Sequence, residues 1–193
     1  MKEFLEYVLQ FCQLNQQQTA LISKNAEHLE LRKDEYFSEA GKVPRQVGFL
    51  VEGVMRGCYY NNKGEEITRY FITENNLTFD YVNFDGETAS SEYSQACTTC
   101  KLIVFSKQNW DELLRTIEDW DHVTNRMIQL CTFQKYKKAP VISEDATTRY
   151  LDFLKNFPGL ANRIPLKYLA SYLGVTDTSL SRIRKTLVQH APR

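Results

Sequence analysis

The sequence predicts an α+β fold: a small β-roll, a long helix and a terminal helical unit. Three observations carry that prediction. Short apolar-aromatic runs between residues 29 and 105 are separated by turn signals roughly 8–12 residues apart, the texture of a small all-β roll. A 3-4 alternation of apolar residues runs through 119–138, as in a helical seam. Residues 164–188 hold two short amphipathic helices around a glycine. Three segments follow: 1–118 as a sensing roll with N-terminal helices, 119–139 as a central helix, and 140–193 as a helical terminal domain.

Residues 3–12 and 15–26 read as helices, with Phe4, Leu5, Val8 and Leu9 on one face and Leu21 and Ile22 on the next. Strands are expected over Val47–Val51, Val54–Tyr60, Ile67–Ile72 and Ala96–Phe105, and Asn61-Asn62-Lys63-Gly64 marks a hairpin. Helix resumes at Lys107–Thr116. The next helix places Trp120, Val123, Met127, Leu130 and Gln134 along one stripe, read here as a dimer seam, the alternative being an ordinary amphipathic helix lying on its own domain. Lys137-Lys138-Ala139-Pro140 then breaks the helical pattern, because the residue before proline is pushed out of the α region. Asp145 caps a further helix that Phe157-Pro158-Gly159 stops.

Composition sets bounds on function. The 193 residues are 42% hydrophobic and 25% charged, enough for a packed core. No run reaches the ~18 apolar residues of a membrane span, and the start lacks a signal peptide's apolar stretch. A cytoplasmic protein without membrane contact is expected. Five cysteines and three scattered histidines argue against a disulfide framework and against a metal site, so no metal is expected and no enzyme of the metal-dependent roll type. Cys97-Thr-Thr-Cys100 reads as small residues in a strand. Net charge is zero, yet residues 1–139 carry 16 basic and 20 acidic side chains, and residues 140–193 carry 8 and 4. A basic terminal quarter on an acidic body points to a polyanionic partner.

That quarter holds the most informative stretch, IPLKYLASYLGVTDTSLSRIRKTLV. Leu166, Leu169, Ala170 and Leu173 make one apolar stripe, with Pro165 in the first turn. Gly174 supplies the positive φ of a tight link, and Thr176 caps the second helix. Ala170, Gly174, Leu180 and Ile183 have helix-turn-helix spacing. The second helix buries Leu180, Ile183 and Leu187 and turns Asp177, Thr178, Ser181, Arg182, Arg184 and Lys185 outward.

Here the chain resembles the Crp/Fnr family of bacterial transcription regulators, in the short form of its Bacteroidetes-type members. LGVTDTSLSRIRKTL looks like that family's recognition helix. FLVEGVMRGCYYNNKGEEITRYF resembles its cyclic-nucleotide-binding-like β-roll, with Gly53 and Gly64 at the roll's turns. The resemblance implies a homodimer on double-stranded DNA, paired through the central helices, and RNA polymerase as a partner if it activates. It places Arg182 against guanine and Thr176, Asp177, Thr178, Ser179 and Ser181 at bases or phosphates. Lys167, Arg184 and Lys185 become phosphate contacts. The family's β-hairpin wing is not expected in full after the recognition helix, and residues near Arg163 could compensate.

The resemblance also places an effector site at Phe79, Asp80, Ser90 and Ser91, with Gln134 and Lys135 reaching in from the central helix. Ser90 stands where cyclic-nucleotide binders carry the phosphate-binding arginine. cAMP is therefore not expected unless Arg69 or Arg56 supplies the cation; another small-molecule effector is the first expectation, with no effector at all as the alternative. The alternative reading is a ligand-binding signalling module whose C-terminal hairpin contacts a protein.

Overall fold

A computed structural model describes residues 1–137 and 143–189, and gives only the backbone of 134–137 and 188. The expected break at Lys138–Pro140 lies outside the described residues. Two short helices, α1 (Lys2–Val8) and α2 (Gln16–Asn25), lead into eight strands. The strands are β1 (Glu27–Leu31), β2 (Tyr36–Ser38), β3 (Gln46–Glu52), β4 (Met55–Tyr60), β5 (Glu66–Ile72), β6 (Asn76–Thr78), β7 (Tyr93–Ala96) and β8 (Cys100–Ser106). A one-turn helix α3 (Tyr81–Asp85) interrupts them after β6. Then follow α4 (Lys107–Thr116), α5 (Trp120–Lys137), α6 (Ala146–Asn156), α7 (Leu166–Leu173) and α8 (Asp177–Gln189).

The strands form two antiparallel sheets in the orders β1-β8-β3-β6 and β2-β7-β4-β5. Side chains alternate across a strand, and the burial follows that period. Leu50 and Leu102 point between the sheets, where they pack with Leu31, Met55, Ile72 and Ala96. Phe49, Ile103 and Phe105 point to the other side of the first sheet, against Phe4, Trp110 and Trp120 of the helices. The β4–β5 hairpin forms as expected. Asn61 Oδ1 accepts from Lys63 N (2.9 Å) and Glu65 N (3.0 Å), and Gly64 takes φ +76°.

Two expectations are corrected. The Ala96–Phe105 stretch is not one strand. Cys97–Thr99 turn the chain from β7 to β8, and both Cys97 and Cys100 are buried at that corner. Cys97 N and Cys100 Sγ both donate to Val54 O, at 2.8 and 3.3 Å. The larger correction concerns α5. Trp120, Val123 and Met127 lie in the core beneath the first sheet, with Trp120 stacked edge-on to Trp110 at 5.7 Å. Their stripe is occupied by the chain's own roll and has no free face for a second copy. Of the expected seam, only Leu130 is exposed, at 38%; Gln134's side chain lies outside the described residues.

The terminal unit has its own core of Phe153, Phe157, Leu160, Leu169, Leu173 and Leu180, which continues without a gap into Val54, Phe71 and Cys97 of the roll. Phe71 of β5 meets Tyr172 at 5.2 Å and Phe153 at 6.0 Å between ring centroids. The helix-turn-helix is thus seated on the second sheet.

Candidate nucleic-acid interface and effector cleft

The terminal helices are built by their caps. Asp145 Oδ1 accepts from Thr147 N (2.8 Å) and Thr148 N (3.1 Å), two amides that the start of α6 leaves without helical partners. The Thr148 hydroxyl first, and then these two amides, hold the Asp145 carboxyl below its usual range. Pro165 stands just before α7 as its N-cap, one position earlier than the first helical turn. Gly174 ends α7 at φ +65°, ψ +38°, and Val175 N closes onto Ala170 O (3.0 Å). A side chain at that φ would be strained, which is why the link needs glycine. Thr176 then caps α8, its Oγ1 accepting from Ser179 N (3.2 Å).

With its start fixed by that link, α8 is set in rotation by the side chains it buries. Leu180 is fully buried and Ile183 and Leu187 lean on the same core. The opposite face leaves Thr176, Asp177, Thr178, Ser181, Arg182 and Lys185 exposed. Ser179 is half-buried and drawn into the cap, where Thr176 Oγ1 also donates to its hydroxyl (2.9 Å). Arg184 is half-buried too, its Nη2 donating to Asn162 Oδ1 (3.2 Å). Lys167 stays exposed at the start of α7. The structure therefore brings the expected residues onto one unit but divides them. Asp177, Ser181, Arg182 and Lys185 are open, Thr178 is exposed with its hydroxyl bonded to Thr176 Oγ1 (3.0 Å), and Ser179 and Arg184 are held by neighbours. Asn162 went unnoticed in the sequence, since nothing local marks an asparagine in the short 3-10 turn before α7 as the partner of a residue in a later helix.

Arg163 does not join this face. It pairs with Glu74 on the roll, Nη1 to Oε2 at 3.0 Å, and Glu74 Oε1 also accepts from Gly53 N (2.9 Å). Burial raises the Glu74 carboxyl, but Arg163 and the backbone amides more than offset that and hold it below its usual range.

A second concave site of about 270 Å³ lies between β5, the β6–α3 turn and α5. Arg69, Tyr70, Phe79, Asp80, Glu92 and Thr132 are among its lining residues. Phe79 is buried, and Asp80 and Ser90 bond each other, Ser90 Oγ donating to Asp80 Oδ2 at 2.8 Å. Asn83 Nδ2 occupies the same oxygen at 2.6 Å. Ser91 is exposed and does not line the cleft. Arg69 lines it but forms an ion pair with Glu92, which also accepts from Tyr70 OH (3.0 Å). The cleft's arginine is therefore neutralised, and Asp80 adds a further acidic group. A cyclic phosphate would be desolvated there without a free cation. Backbone at Gln134 and Lys135 continues α5 beyond the cleft, and their side chains lie outside the described residues.

Arg56 supplies no cation to this cleft. It is fully buried on the far side of β4, in an ion pair with Glu66 (2.6 Å) and 3.5 Å from the Tyr168 ring centroid. Burial disfavours its charge, yet Glu66 more than offsets this and the guanidinium lies above its ordinary range. Burial also pushes the Cys97 thiol far up, so the pair at Cys97 and Cys100 lacks the ready thiolate of a redox or metal-binding motif. Among the described residues, no three His, Cys, Asp or Glu side chains gather where they could hold a metal ion. Among those residues too, no helix is long and apolar enough to cross a membrane.

No protein-family model and no curated protein sequence matches the chain. Solved structures do. The c-di-GMP-responsive global regulator CLP of Xanthomonas campestris is 14% identical, with 93% of this chain and 96% of that one covered at a TM-score of 0.66. A protein of Eubacterium rectale described as a transcriptional regulator of the Crp/Fnr family is 15% identical over 90% and 83%, at 0.65. FixK2 of Bradyrhizobium japonicum is 14% identical over 85% of each chain, at 0.62. Roll, long helix and helix-turn-helix together make this the fold of the Crp/Fnr transcription regulators.

Proposed function

We propose that this chain is a DNA-binding transcription regulator rather than an enzyme, acting as a homodimer on a near-palindromic operator. One observation carries the reading. The caps at Gly174 and Thr176 and the burial of Leu180 leave α8 with an open face that holds Arg182 and Lys185 beside short polar side chains. Such a face suits the major groove, where an arginine can donate two bonds to guanine and hydroxyls can reach bases or phosphates. Two copies would set these helices in successive grooves about 34 Å apart. Lys185 is exposed and can meet phosphates, Lys167 can do so from its place over the Tyr168 ring (4.7 Å), and Arg184 would have to leave Asn162. The cleft beside Arg69 and Glu92 is the proposed effector site, suited to a small ligand of mixed polarity and not to cAMP. RNA polymerase would be the further partner of an activator.

Selection of bound sites from random double-stranded DNA tests the proposal. The wild-type chain should enrich one sequence with two-fold symmetry, and its affinity should fall steeply with salt. Arg182→Ala should lose ~1–3 kcal/mol of discrimination at one base pair in each half-site while keeping its fold. Enrichment of the same sequence by the variant would refute the assignment of α8.

A further inference from the structure

β5 is the outer strand of its sheet, with β4 on one side only. An edge strand presents N–H and C=O groups that no ladder satisfies. Here a single hydroxyl of α7 fills two of them. Ser171 Oγ accepts from Thr68 N (2.9 Å) and donates to Glu66 O (2.9 Å). Three residues earlier on the same helix face, Tyr168 lies over the buried Arg56 and its hydroxyl donates to Asp34. Arg56 is tied in turn to Thr68 Oγ1 (2.8 Å) and Gln95 Oε1 (2.9 Å). So α7 is at once the first helix of the helix-turn-helix and the cover of the sheet edge.

The same strand reaches the cleft. Arg69 and Tyr70, which both bind Glu92, stand in sequence between Thr68 and Phe71, which both meet the terminal unit. We infer that α7 is a latch on β5 that sets the orientation of α8, and that the Arg69–Glu92 pair holds β5 in the shape the latch fits. A cleft ligand that takes either partner from the other would then release the latch. The open face of α8 is free in the latched form. Latching therefore fixes an orientation that binding would otherwise have to fix, and it favours DNA. Only this last consequence rests on the regulator reading above.

The test measures an intrachain distance. Spin labels on non-natural residues replace Lys63 at the hairpin tip and Lys155 on α6, both exposed, in full-length chain diluted with unlabelled chain. Pulsed electron resonance should give one narrow distance for the wild type. The double variant Tyr168→Phe/Ser171→Ala, which keeps the ring and removes both hydroxyls, should broaden it, and so should Arg69→Gln. Lys101→Gln, which removes an exposed pair with Glu52 on the other sheet, should leave it narrow. A narrow distance in the double variant would overturn the latch, and one in Arg69→Gln would overturn the relay. On the DNA site selected by the wild type, the double variant should bind about tenfold more weakly, as when a tenth of the population is competent. Equal or tighter binding would overturn the orienting role. Should the wild type select no site, the regulator reading fails, while the distances still decide the latch.

Discussion

Arg56→Met should cost about 3 kcal/mol of stability, and the reasons can be taken bond by bond. The fully buried guanidinium donates to Gln95 Oε1 from Nε (2.9 Å) and Nη2 (2.5 Å), and to Thr68 Oγ1 from Nη1 (2.8 Å). Methionine fills much of the stem's volume and donates nothing. Gln95 is itself buried, and its carbonyl oxygen would lose both donors, a desolvation loss of ~1–3 kcal/mol. The stack on Tyr168 contributes a further ~0.5–2 kcal/mol. Glu66 is 28% exposed, so water can replace Arg56 around its carboxylate and little is lost there. The total sits near the low end of the ~3–5 kcal/mol typical of breaking a buried pair from one side. With a urea slope of about 2 kcal/mol/M, the midpoint should fall by about 1.5 M at unchanged slope. Glu66→Gln should fall by less, because Gln95, Thr68 and the Tyr168 ring still satisfy the arginine. A shift under about 0.5 M for Arg56→Met, or a larger one for Glu66→Gln, would refute this account.

Gly53 combines φ +107° with a Cβ position 2.5 Å from Thr99 O and 2.8 Å from Cys100 Sγ. Gly53→Ala should therefore lose at least the ~1–3 kcal/mol of a strained backbone, a Tm fall of about 2–12 °C by calorimetry; an unchanged Tm would contradict the geometry. Glu74 titrates below its ordinary value of 4.5 in the folded chain, so its contribution is complete above that pH and lost as pH falls through the depressed value. Acid unfolding followed by tryptophan fluorescence should show this loss below about pH 4.5, and Glu74→Gln should flatten that part of the profile.

What the sequence revealed and what it hid divides by distance along the chain. The hairpin at Asn61–Gly64, the Asp145 cap and the Gly174–Thr176 link are each decided by a few adjacent residues, and each forms as read. β1, β2 and β6 escaped notice. β1 is Glu-His-Leu-Glu-Leu, with too few apolar residues to stand out, and β2 and β6 span three residues each. At the candidate sites, the open face of α8 was legible because helical period fixes which side chains share a face. The family's spacing put Asp80 and Ser90 at one candidate site. That the two satisfy each other, and that Arg69 is neutralised by Glu92, could not follow, because both depend on which strands become neighbours. The Arg56–Tyr168 stack is the extreme case, joining residues from different units with no local mark on either.

The fate of the α5 seam shows the limit of periodicity and gives a sharp experiment. Period identifies an apolar stripe but not the surface that covers it. Val123 is 2% exposed and packs in the roll's core, whereas Leu130, seven residues on, is 38% exposed. A charge at Val123 would be buried without a partner, which costs several kcal/mol and is comparable to the ~5–15 kcal/mol stability of a whole domain. Val123→Glu should thus unfold or strongly destabilise the roll, seen as a large Tm fall, rather than yield a folded monomer. Leu130→Glu meets solvent and should keep a near-wild-type Tm. If two copies join along the outer face of α5, light scattering should show Leu130→Glu as a folded monomer where the wild type is a dimer. A folded, monomeric Val123→Glu would instead restore the seam to the stripe that the roll occupies here, and with it an arrangement of α5 different from the one described.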